Sequence, residues 1–334
     1  MKKLLTLILS VILCFTAIIA VGCNEEPQAG KVNIKYYADG QVVVQSILGG
    51  SETIGLVPEP AATALTKNAA KQGTSIYRLD LQELYDGTEK AYPQAVLMVK
   101  KSVLGACPDV VSTLQNKITE SATWIKTNAA AAVTAIGEHG NTTLQAGELT
   151  ESAIDGCKIY WQSASDAKSS VKTYINKIVD IDATKATAVN DDFFYTSVTG
   201  GNAKNEYTFI MPDGAPALAV AKLISDGDDL GTSATVSYSV VAANQISPSL
   251  SSGTADFIVA PVNLASKFYK ASGEDHYVMV AVLTHGNFYI MSTEKISLKC
   301  TAGKRVAVPN MGAVPDWTFK MVLNKHNLDF VTVE

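Results

Sequence analysis

The chain has 334 residues, a net charge of −5 and 18% charged residues, an ordinary composition for a folded globular protein. Its 27 Lys and Arg against 32 Asp and Glu form no basic stripe, which argues against nucleic acid as a partner. The length suffices for two domains of normal size.

The N-terminus has the pattern of an export signal. Lys2 and Lys3 precede an apolar run over 4–21, and small residues lead up to Cys23, as in a secretory signal peptide. The segment Ala20-Val21-Gly22-Cys23 looks like a bacterial lipobox, in which the cysteine thiol carries a diacylglycerol. We predict a lipoprotein signal peptide over 1–23 and a polar tether over 24–30. An uncleaved membrane anchor and secretion without lipid are the alternatives.

The next segments alternate between strands and short helices. Strands are predicted over 32–37, 53–57, 76–79 and 95–100, with helices over 41–48 and 60–68. This alternation indicates βαβ units and a largely parallel sheet.

The middle of the chain has a different, helical pattern. Apolar residues recur at helical spacing from Val110 onward, and a further helix is predicted over 163–178. A polar linker follows over 180–206. An exported protein can form disulfides, and Cys107–Cys157 is the pair to test. The other reading leaves these two thiols and Cys300 free or buried.

The strand–helix alternation then resumes to the end of the chain. The predicted strands are 207–211, 234–241, 256–259, 277–283, 288–292, 305–308 and 330–333. Helices are predicted over 216–224, 263–270 and 315–325, and another begins at 246. Two α/β blocks of similar size therefore flank the helical segment.

Several strand-to-helix turns share Gly, Pro, Asn and Asp. In parallel sheets, ligands bind at the carboxyl ends of strands, where helix N-termini offer free N–H groups. We therefore expect the turns to converge on one polar crevice, although such residues also serve simply to turn the chain. Together with nearby aromatic residues, the candidate ligand-binding residues are Tyr37, Asp39, Glu59, Asp213, Gly214, Asn263, His285, Asn287, Phe288, Asn310 and Trp317.

Signals of enzymatic chemistry are poor. The chain has no phosphate-binding lysine loop, dinucleotide glycine fingerprint or nucleophile elbow. Its four histidines are scattered without metal-ligand spacing. Glu59, between two prolines, could be a general base, a ligand clamp or a structural cap, and it has no acid partner at a recognisable spacing. We predict a protein that is not an enzyme and needs no cofactor or metal.

Several segments resemble substrate-binding proteins of ABC transporters, in the branch that binds nitrate, sulfonates and thiamine precursors. Residues 207–223 are similar to the first strand and helix of that family, and 252–265 to its next strand and turn. Residues 303–309 resemble the strand that opens its second lobe. The resemblance implies two α/β lobes of the type II periplasmic-binding-protein kind, each a largely parallel sheet flanked by helices.

The order of these segments differs from that of the family. The family's C-terminal Phe-Tyr ending resembles 191–195, which here precedes the segment resembling its beginning. We therefore expect a circularly permuted chain, with exposed loops accommodating the old and new ends. The predicted lobe 1 comprises 103–195 (helical) and 207–295, joined by the linker 196–206. The predicted lobe 2 comprises 31–102 and 296–334, with a hinge near Lys100 and Ser292.

The resemblance implies a solute-binding lipoprotein, outside the cytoplasm on the membrane, that delivers a small molecule to ABC permease subunits by lobe closure. The expected ligand is a vitamin-precursor-like nitrogen heterocycle or a small oxyanion. Helix N-termini suit an oxyanion, whereas Glu59 and the aromatic rings of Tyr37, Phe288 and Trp317 suit the heterocycle, unless the rings only pack in the core. Because a carboxylate repels anions, a neutral or cationic heterocycle is favoured. Alternatives are a pyrimidine-synthesis-like enzyme on the same fold and a ligand-sensing ectodomain.

Overall fold

The computed structural model describes residues 30–85, 91–227 and 230–334. The predicted signal peptide, the lipidation site at Cys23 and the tether up to residue 29 lie outside the described residues. The chain forms two six-stranded sheets flanked by helices, which confirms the predicted mixed α/β class.

The strands of the described residues are β1 (Val32–Tyr37), β2 (Ile54–Pro58), β3 (Tyr77–Asp80), β4 (Ala95–Lys100), β5 (Ile159–Ser163), β6 (Glu206–Pro212), β7 (Thr235–Val241), β8 (Phe257–Pro261), β9 (Tyr277–Thr284), β10 (Phe288–Ser292), β11 (Arg305–Pro309) and β12 (Phe330–Val333). The helices are α1 (Gly40–Leu48), α2 (Ala61–Lys71), α3 (Leu81–Tyr85), α4 (Lys101–Ala106), α5 (Val110–Gly137), α6 (Glu151–Gly156), α7 (Ala164–Ile181), α8 (Ala215–Asp226), α9 (Ile246–Ser252), α10 (Val262–Phe268) and α11 (Val314–Lys325). Strand β5, within the segment predicted to be helical, was not anticipated by the sequence pattern.

The first sheet combines strands from both parts of the chain, in the order β12-β1-β11-β2-β10-β3. Strand β1 pairs in parallel with β11 (Asn33 opposite Arg305) and with β12 (Val32 opposite Phe330). Strand β11 is parallel to β2, and β10 is antiparallel to β2 and β3. Residues far apart in sequence therefore complete one lobe. It is called the first lobe below and corresponds to the predicted lobe 2.

The second sheet has the order β5-β9-β4-β8-β6-β7. Strand β6 is parallel to β7 and β8, whereas β4 is antiparallel to both β8 and β9, and β5 is antiparallel to β9. The prediction of a largely parallel sheet is therefore wrong for this lobe. Helices α5 and α8 cover one face, and the Ser121 hydroxyl of α5 donates to the Leu218 carbonyl of α8 at 2.7 Å. This sheet and its helices form the second lobe, which corresponds to the predicted lobe 1.

The chain passes between the lobes at positions that differ from the predicted hinge. Strand β4 was expected in the sheet built from both parts of the chain, and β10 in the other. Instead β4 pairs with β8 and β9, and β10 pairs with β2 and β3. The passages lie between α3 and β4 and at 285–287, rather than near Lys100 and Ser292. Both strands are almost wholly buried and apolar, so local pattern alone did not indicate their partners.

Helix α11 packs against both lobes. Its residues Phe319, Val322 and Leu323 belong to the core of the first sheet. Val314, Trp317 and Met321 pack in a cluster with residues of the second lobe, including Met98. The helix is therefore part of the boundary between the lobes.

The three described cysteines are buried free thiols, so the hypothesis of a Cys107–Cys157 disulfide is wrong. The Cys107 sulfur lies 3.2 Å from the Tyr207 hydroxyl. Burial raises the pKa of the Cys157 thiol, and the nearby Glu59 carboxylate adds to the shift. Among the described residues, none of the helices has the length and apolar character needed to cross a bilayer.

Candidate functional site

The carboxyl ends of the parallel strands gather at one edge of each sheet. In the first sheet, β1, β2 and β11 run in the same direction, and β10 begins with Phe288 opposite Pro58. In the second sheet, β6 and β8 end at Pro212 and Pro261, and β9 ends at Thr284 on the same side. Apart from Trp317, which lies in the first turns of α11, the candidate ligand-binding residues proposed from the sequence lie at or just beyond one of these ends.

Contacts between the lobes show that the two edges face each other. The Tyr289 hydroxyl of β10 donates to the Gly156 carbonyl at the end of α6, at 3.5 Å. On the α11 side, the Tyr174 and Thr318 hydroxyls are 2.6 Å apart. The sequence-predicted residues are thus placed at the boundary of the two lobes, with the exceptions described below.

Glu59 is the most completely bonded of the predicted residues. It is 1% exposed, and its carboxylate accepts bonds from the Arg78 guanidinium (2.6 Å), the Thr63 amide (3.0 Å) and the Thr63 hydroxyl (2.9 Å). The amide and hydroxyl of Thr63 lie in the first turn of α2, so Glu59 acts as a cap for this helix. The structural-cap alternative therefore describes its contacts in this arrangement, and the carboxylate also holds Arg78 at the boundary.

Arg78 and Tyr289 extend this group along the first lobe. The guanidinium carbon lies 3.3 Å from the centre of the Tyr289 ring, a stacked cation–π contact. The Arg78 side chain remains 34% exposed. The pKa of the Tyr289 hydroxyl is raised to about 12, chiefly by burial and then by the charge of Asp80. Tyr289 therefore stays protonated at neutral pH and can donate to Gly156.

His285 lies in the second passage between the lobes and is buried. Its Nδ1 is 3.4 Å from the Lys158 carbonyl and its Nε2 is 3.2 Å from the Gln162 side-chain oxygen. The Tyr160 ring stacks on it at 3.5 Å. Burial lowers the pKa of His285 to about 3, against a smaller opposing effect of the Lys158 carbonyl. The imidazole is therefore neutral at physiological pH.

Asn263 and Asn287 are both buried at the boundary, on the segments that follow β8 and β9. The Asn287 amide nitrogen donates to the Glu59 carbonyl at 2.9 Å, and the Glu59 amide donates to the Asn287 carbonyl at 2.8 Å. The Asn263 nitrogen donates to the carbonyls of Lys185 (3.3 Å) and Gly312 (3.5 Å). The Asn287 side chain therefore joins the second passage to the end of β2. The Asn263 side chain joins the end of β8 to the segments at Lys185 and Gly312.

Three predicted residues of the first lobe have local structural partners. The Tyr37 hydroxyl donates to Glu52 at 2.7 Å, and Asp39 caps α1 by accepting from the Val42 amide at 2.9 Å. Asn310 has a φ of +55° and its amide donates to the Tyr37 carbonyl at 2.9 Å. These residues shape the edge of the first sheet.

Asp213 and Gly214 lie at the end of β6 and are set apart from the contacts between the lobes. Asp213 accepts bonds from the Thr142 hydroxyl and from the Thr143 amide and hydroxyl, at 2.7–2.8 Å, so it fastens the loop after α5. Gly214 has a φ of +93° and is the N-cap residue that precedes α8. No atom lies within 4 Å of the position that a Cβ would occupy there.

The predicted aromatic residues Phe288 and Trp317 are buried. Phe288 packs in the core of the first sheet, and its amide donates to Gln82. Trp317 packs at the boundary, and its indole donates to the Gly312 carbonyl at 2.8 Å. In this arrangement both rings have the core-packing role that was the alternative to ligand contact.

Sequence reasoning missed several residues that meet at the boundary. They are Arg78, Gln94, Gly156, Tyr174 and Tyr289. Of these residues, only Gln94 had a sequence feature that could have indicated its position, because it follows the turn residue Pro93 in the first passage between the lobes. The others are on strands and helices whose pairing across the chain the sequence did not reveal.

The described residues contain no cluster of three or more His, Cys, Asp or Glu side chains suited to holding a metal ion. Two surface grooves are lined by other residues. One, of about 410 Å³, is lined by 191–192, 194–199, Lys101 and Val278. The other, of about 600 Å³, is lined by 187–190, Ser266, Lys267, Tyr269 and Lys270. Neither contains a predicted ligand-binding residue.

Comparison with known proteins gave distant structural likenesses. No protein-family model and no curated protein matches the chain. Among solved structures, it is similar to the oligopeptide-binding protein AppA of Bacillus subtilis in complex with a nonapeptide (9% identity, TM-score 0.31, 77% of this chain and 54% of that one). It is also similar to NikA of Staphylococcus aureus in complex with Ni(L-His)2 (10%, 0.35, 78% and 57%) and to the binding protein AgaA of A. tumefaciens R10 in complex with agropinic acid (9%, 0.31, 77% and 54%). The chain spans just over half the length of each.

Proposed function

We propose that the protein is a solute-binding protein that captures a small molecule between its two lobes. The observation that carries this proposal is that the carboxyl edges of the two sheets face each other, while the chain passes between the sheets only twice within the part of the molecule described. Facing edges bring helix N-termini and turn amides of both lobes to one ligand. Two passages allow the lobes to move as units.

Residues 285–287, the second passage between the lobes, are suited to act as part of a hinge. This passage is short and fixed by backbone bonds on both sides, because the His285 amide donates to the Lys158 carbonyl (3.2 Å) and the Asn287 carbonyl accepts from Glu59 (2.8 Å). Small changes of φ and ψ in such segments re-orient whole lobes. A ligand that contacts both edges therefore favours the closed arrangement, in proportion to its extra affinity for it.

In this proposal the protein delivers its ligand to the permease subunits of an ABC importer, which bind the closed form. Cys23 carries the lipid that anchors it to the membrane, outside the cytoplasm. The ligand classes proposed on the sequence are a vitamin-precursor-like nitrogen heterocycle and a small oxyanion. We propose no catalytic role for Glu59, whose carboxylate is held by Thr63 and Arg78, or for His285, whose pKa of about 3 makes it a weak base.

We also propose that the chain is circularly permuted relative to the nitrate, sulfonate and thiamine-precursor binders. The proposal is supported by the parallel pairing of β12 with β1, where the Val32 amide donates to the Asp329 carbonyl at 2.8 Å. Segments from the two chain ends are thus neighbours in one sheet. Short distances between ends are the condition under which permutation is tolerated.

The test of the binding function is ligand-dependent lobe closure. Dyes attached at Gln72→Cys in the first lobe and Asn116→Cys in the second report the distance between lobes by energy transfer; both positions are exposed, and the described native cysteines are buried. Full-length protein is screened against nitrogen heterocycles and oxyanions. We expect at least one compound to shorten the distance and raise the melting temperature together. Lobes that stay at one fixed distance with all compounds, or a compound that binds without changing the distance, would contradict the proposal.

A further inference from the structure

Three carboxamide oxygens at the lobe boundary have no hydrogen-bond partner among the described residues. They are the Oδ1 atoms of Asn263 and Asn287 and the Oε1 atom of Gln94, and all three atoms are buried. The Asn263 and Asn287 side chains are only 1% and 2% exposed. Buried polar atoms without partners are uncommon in folded proteins, so three at one boundary call for an explanation.

The three residues lie on neighbouring strand ends. The Val262 amide, next to Asn263, donates to the Gln94 carbonyl at 3.0 Å. The Gln94 amide donates in turn to the Thr284 carbonyl at 3.0 Å, three residues before Asn287. Backbone bonds therefore connect the strand ends that carry Asn263 and Gln94 and the passage that carries Asn287.

Only the acceptor atoms of the two asparagines remain unused. The Asn287 nitrogen donates to Glu59, and the Asn263 nitrogen donates to Lys185 and Gly312. These bonds fix which end of each carboxamide is the oxygen. The boundary thus offers three unmatched carboxamide oxygens, which hydrogen-bond donors can satisfy. The Tyr92 hydroxyl nearby is also buried without a partner in the described part of the chain, and it can either donate or accept.

The buried carboxylates at the boundary already have cationic partners. Glu59 pairs with Arg78 at 2.6 Å, and Asp316 in the first turn of α11 pairs with Lys320 at 3.0 Å. Asp316 also accepts from the Tyr36 hydroxyl and the Gly312 amide, both at 2.9 Å. Neither carboxylate therefore remains to compensate the charge of a cationic ligand.

We propose that the ligand captured at this boundary is an uncharged small molecule with several N–H or O–H donors, which the side-chain oxygens of Gln94, Asn263 and Asn287 accept. This inference rests on the binding function proposed above and narrows its ligand class. Oxygens that have lost water but gained no donor disfavour closure. A ligand with matching donors removes that cost, so closure depends on it. An anion would bring further lone pairs against these oxygens, and a cation would be buried without a counter-charge.

The sharpest test is Gln94→Met in the full chain carrying the two dyes. Methionine keeps the length of the side chain and removes the acceptor, and the Gln94 side chain makes no hydrogen bond with the described residues that the substitution would break. Gln145→Met, at an exposed position, is the matched control. The probes are uncharged donors (cytosine, amides and polyols), an oxyanion (ethanesulfonate) and a cation without donors (tetramethylammonium). Melting curves of each variant confirm that it is folded.

We expect an uncharged donor to close the lobes, with affinity weakened about tenfold by Gln94→Met, the loss of one hydrogen bond of about 1.4 kcal/mol. Gln145→Met should bind as the unmodified chain does. Closure by ethanesulfonate or tetramethylammonium, or closure by an uncharged donor that Gln94→Met leaves unchanged, would overturn the inference while leaving the binding function intact. Lobes that no probe moves in any variant would instead overturn the binding function, and the inference with it.

Discussion

Gly156 offers a direct way to disturb lobe closure by a single methyl group. It ends α6 in the second lobe, and a Cβ at this position would lie 2.8 Å from Glu59 Cγ and 3.2 Å from the Tyr289 hydroxyl, both in the first lobe. Such distances are well inside van der Waals contact. The Glu59 side chain has little freedom to move aside, because Arg78 and Thr63 hold its carboxylate. In Gly156→Ala the strain is therefore relieved most easily by separation of the lobes.

The size of the effect follows from the cost of overpacking. Inserting a methyl group into a well-packed site costs about 1–3 kcal/mol, which corresponds to a reduction of about 5- to 150-fold in the closed-to-open ratio. The substitution also replaces a helical glycine by alanine, and this replacement stabilises a helix by roughly 0.5–1 kcal/mol. The second lobe itself should therefore not be destabilised, so the loss is specific to closure.

The assay is energy transfer between the dyes at positions 72 and 116, together with the melting temperature. We expect a longer mean distance in Gly156→Ala and weaker binding of any compound that closes the lobes. Gly137→Ala is the matched control, since Gly137 also ends a helix and its Cβ would meet only the Thr142 methyl group at 3.7 Å. Equal distances and affinities in the two variants would refute the reasoning that these two surfaces meet on closure.

Three further predictions concern stability and anchoring. Because the pKa of His285 falls from 6.5 to about 3 on folding, the unfolded chain binds the proton first on acidification. The free energy of unfolding should therefore decrease as the pH drops below 6.5, and at pH 5 it should be about 2 kcal/mol lower. In urea unfolding, His285→Gln should show a weaker pH dependence. Removing 331–334 should speed amide exchange in β1 at least tenfold, since strand bonds of about 1 kcal/mol each are lost; unchanged exchange would mean that the β12 pairing contributes nothing. Cys23→Ser should move the protein from the membrane fraction to the soluble fraction, and unchanged retention in membranes would count against lipid anchoring.

The sequence predicted the elements better than their partners. Strands such as β1 and β11 were placed to within one residue, because apolar β-branched runs bounded by Gly, Pro and Asn have a local cause. The sheet to which β4 and β10 belong was predicted wrongly, since both are apolar on every face and either sheet could bury them. Pairing depends on residues hundreds of positions away, which no local pattern encodes.

The candidate site shows the same division. The position of the turn residues at one edge of each sheet could be predicted because parallel strands end together, a rule that holds for any such sheet. Their detailed roles could not be found in this way. Glu59 caps α2 only because Thr63 follows a turn later, and it is paired only because β10 lies between β2 and β3 and so brings Arg78 of β3 to the end of β2.

The pairing of β1 with β11 also determines when the first lobe can form during synthesis. The Asn33 side chain bonds to the Lys304 carbonyl across 271 positions, so the strands made first wait for most of the chain before their neighbours exist. Contacts of such separation form slowly. In the exported protein proposed here, β1 and β2 therefore remain unfolded during synthesis of the rest of the chain. A narrow secretion channel admits an unfolded chain. The strands of the second sheet lie within one continuous stretch from β4 to β9, so its folding has no such delay. Topology therefore sets the order of folding, and the first lobe folds last.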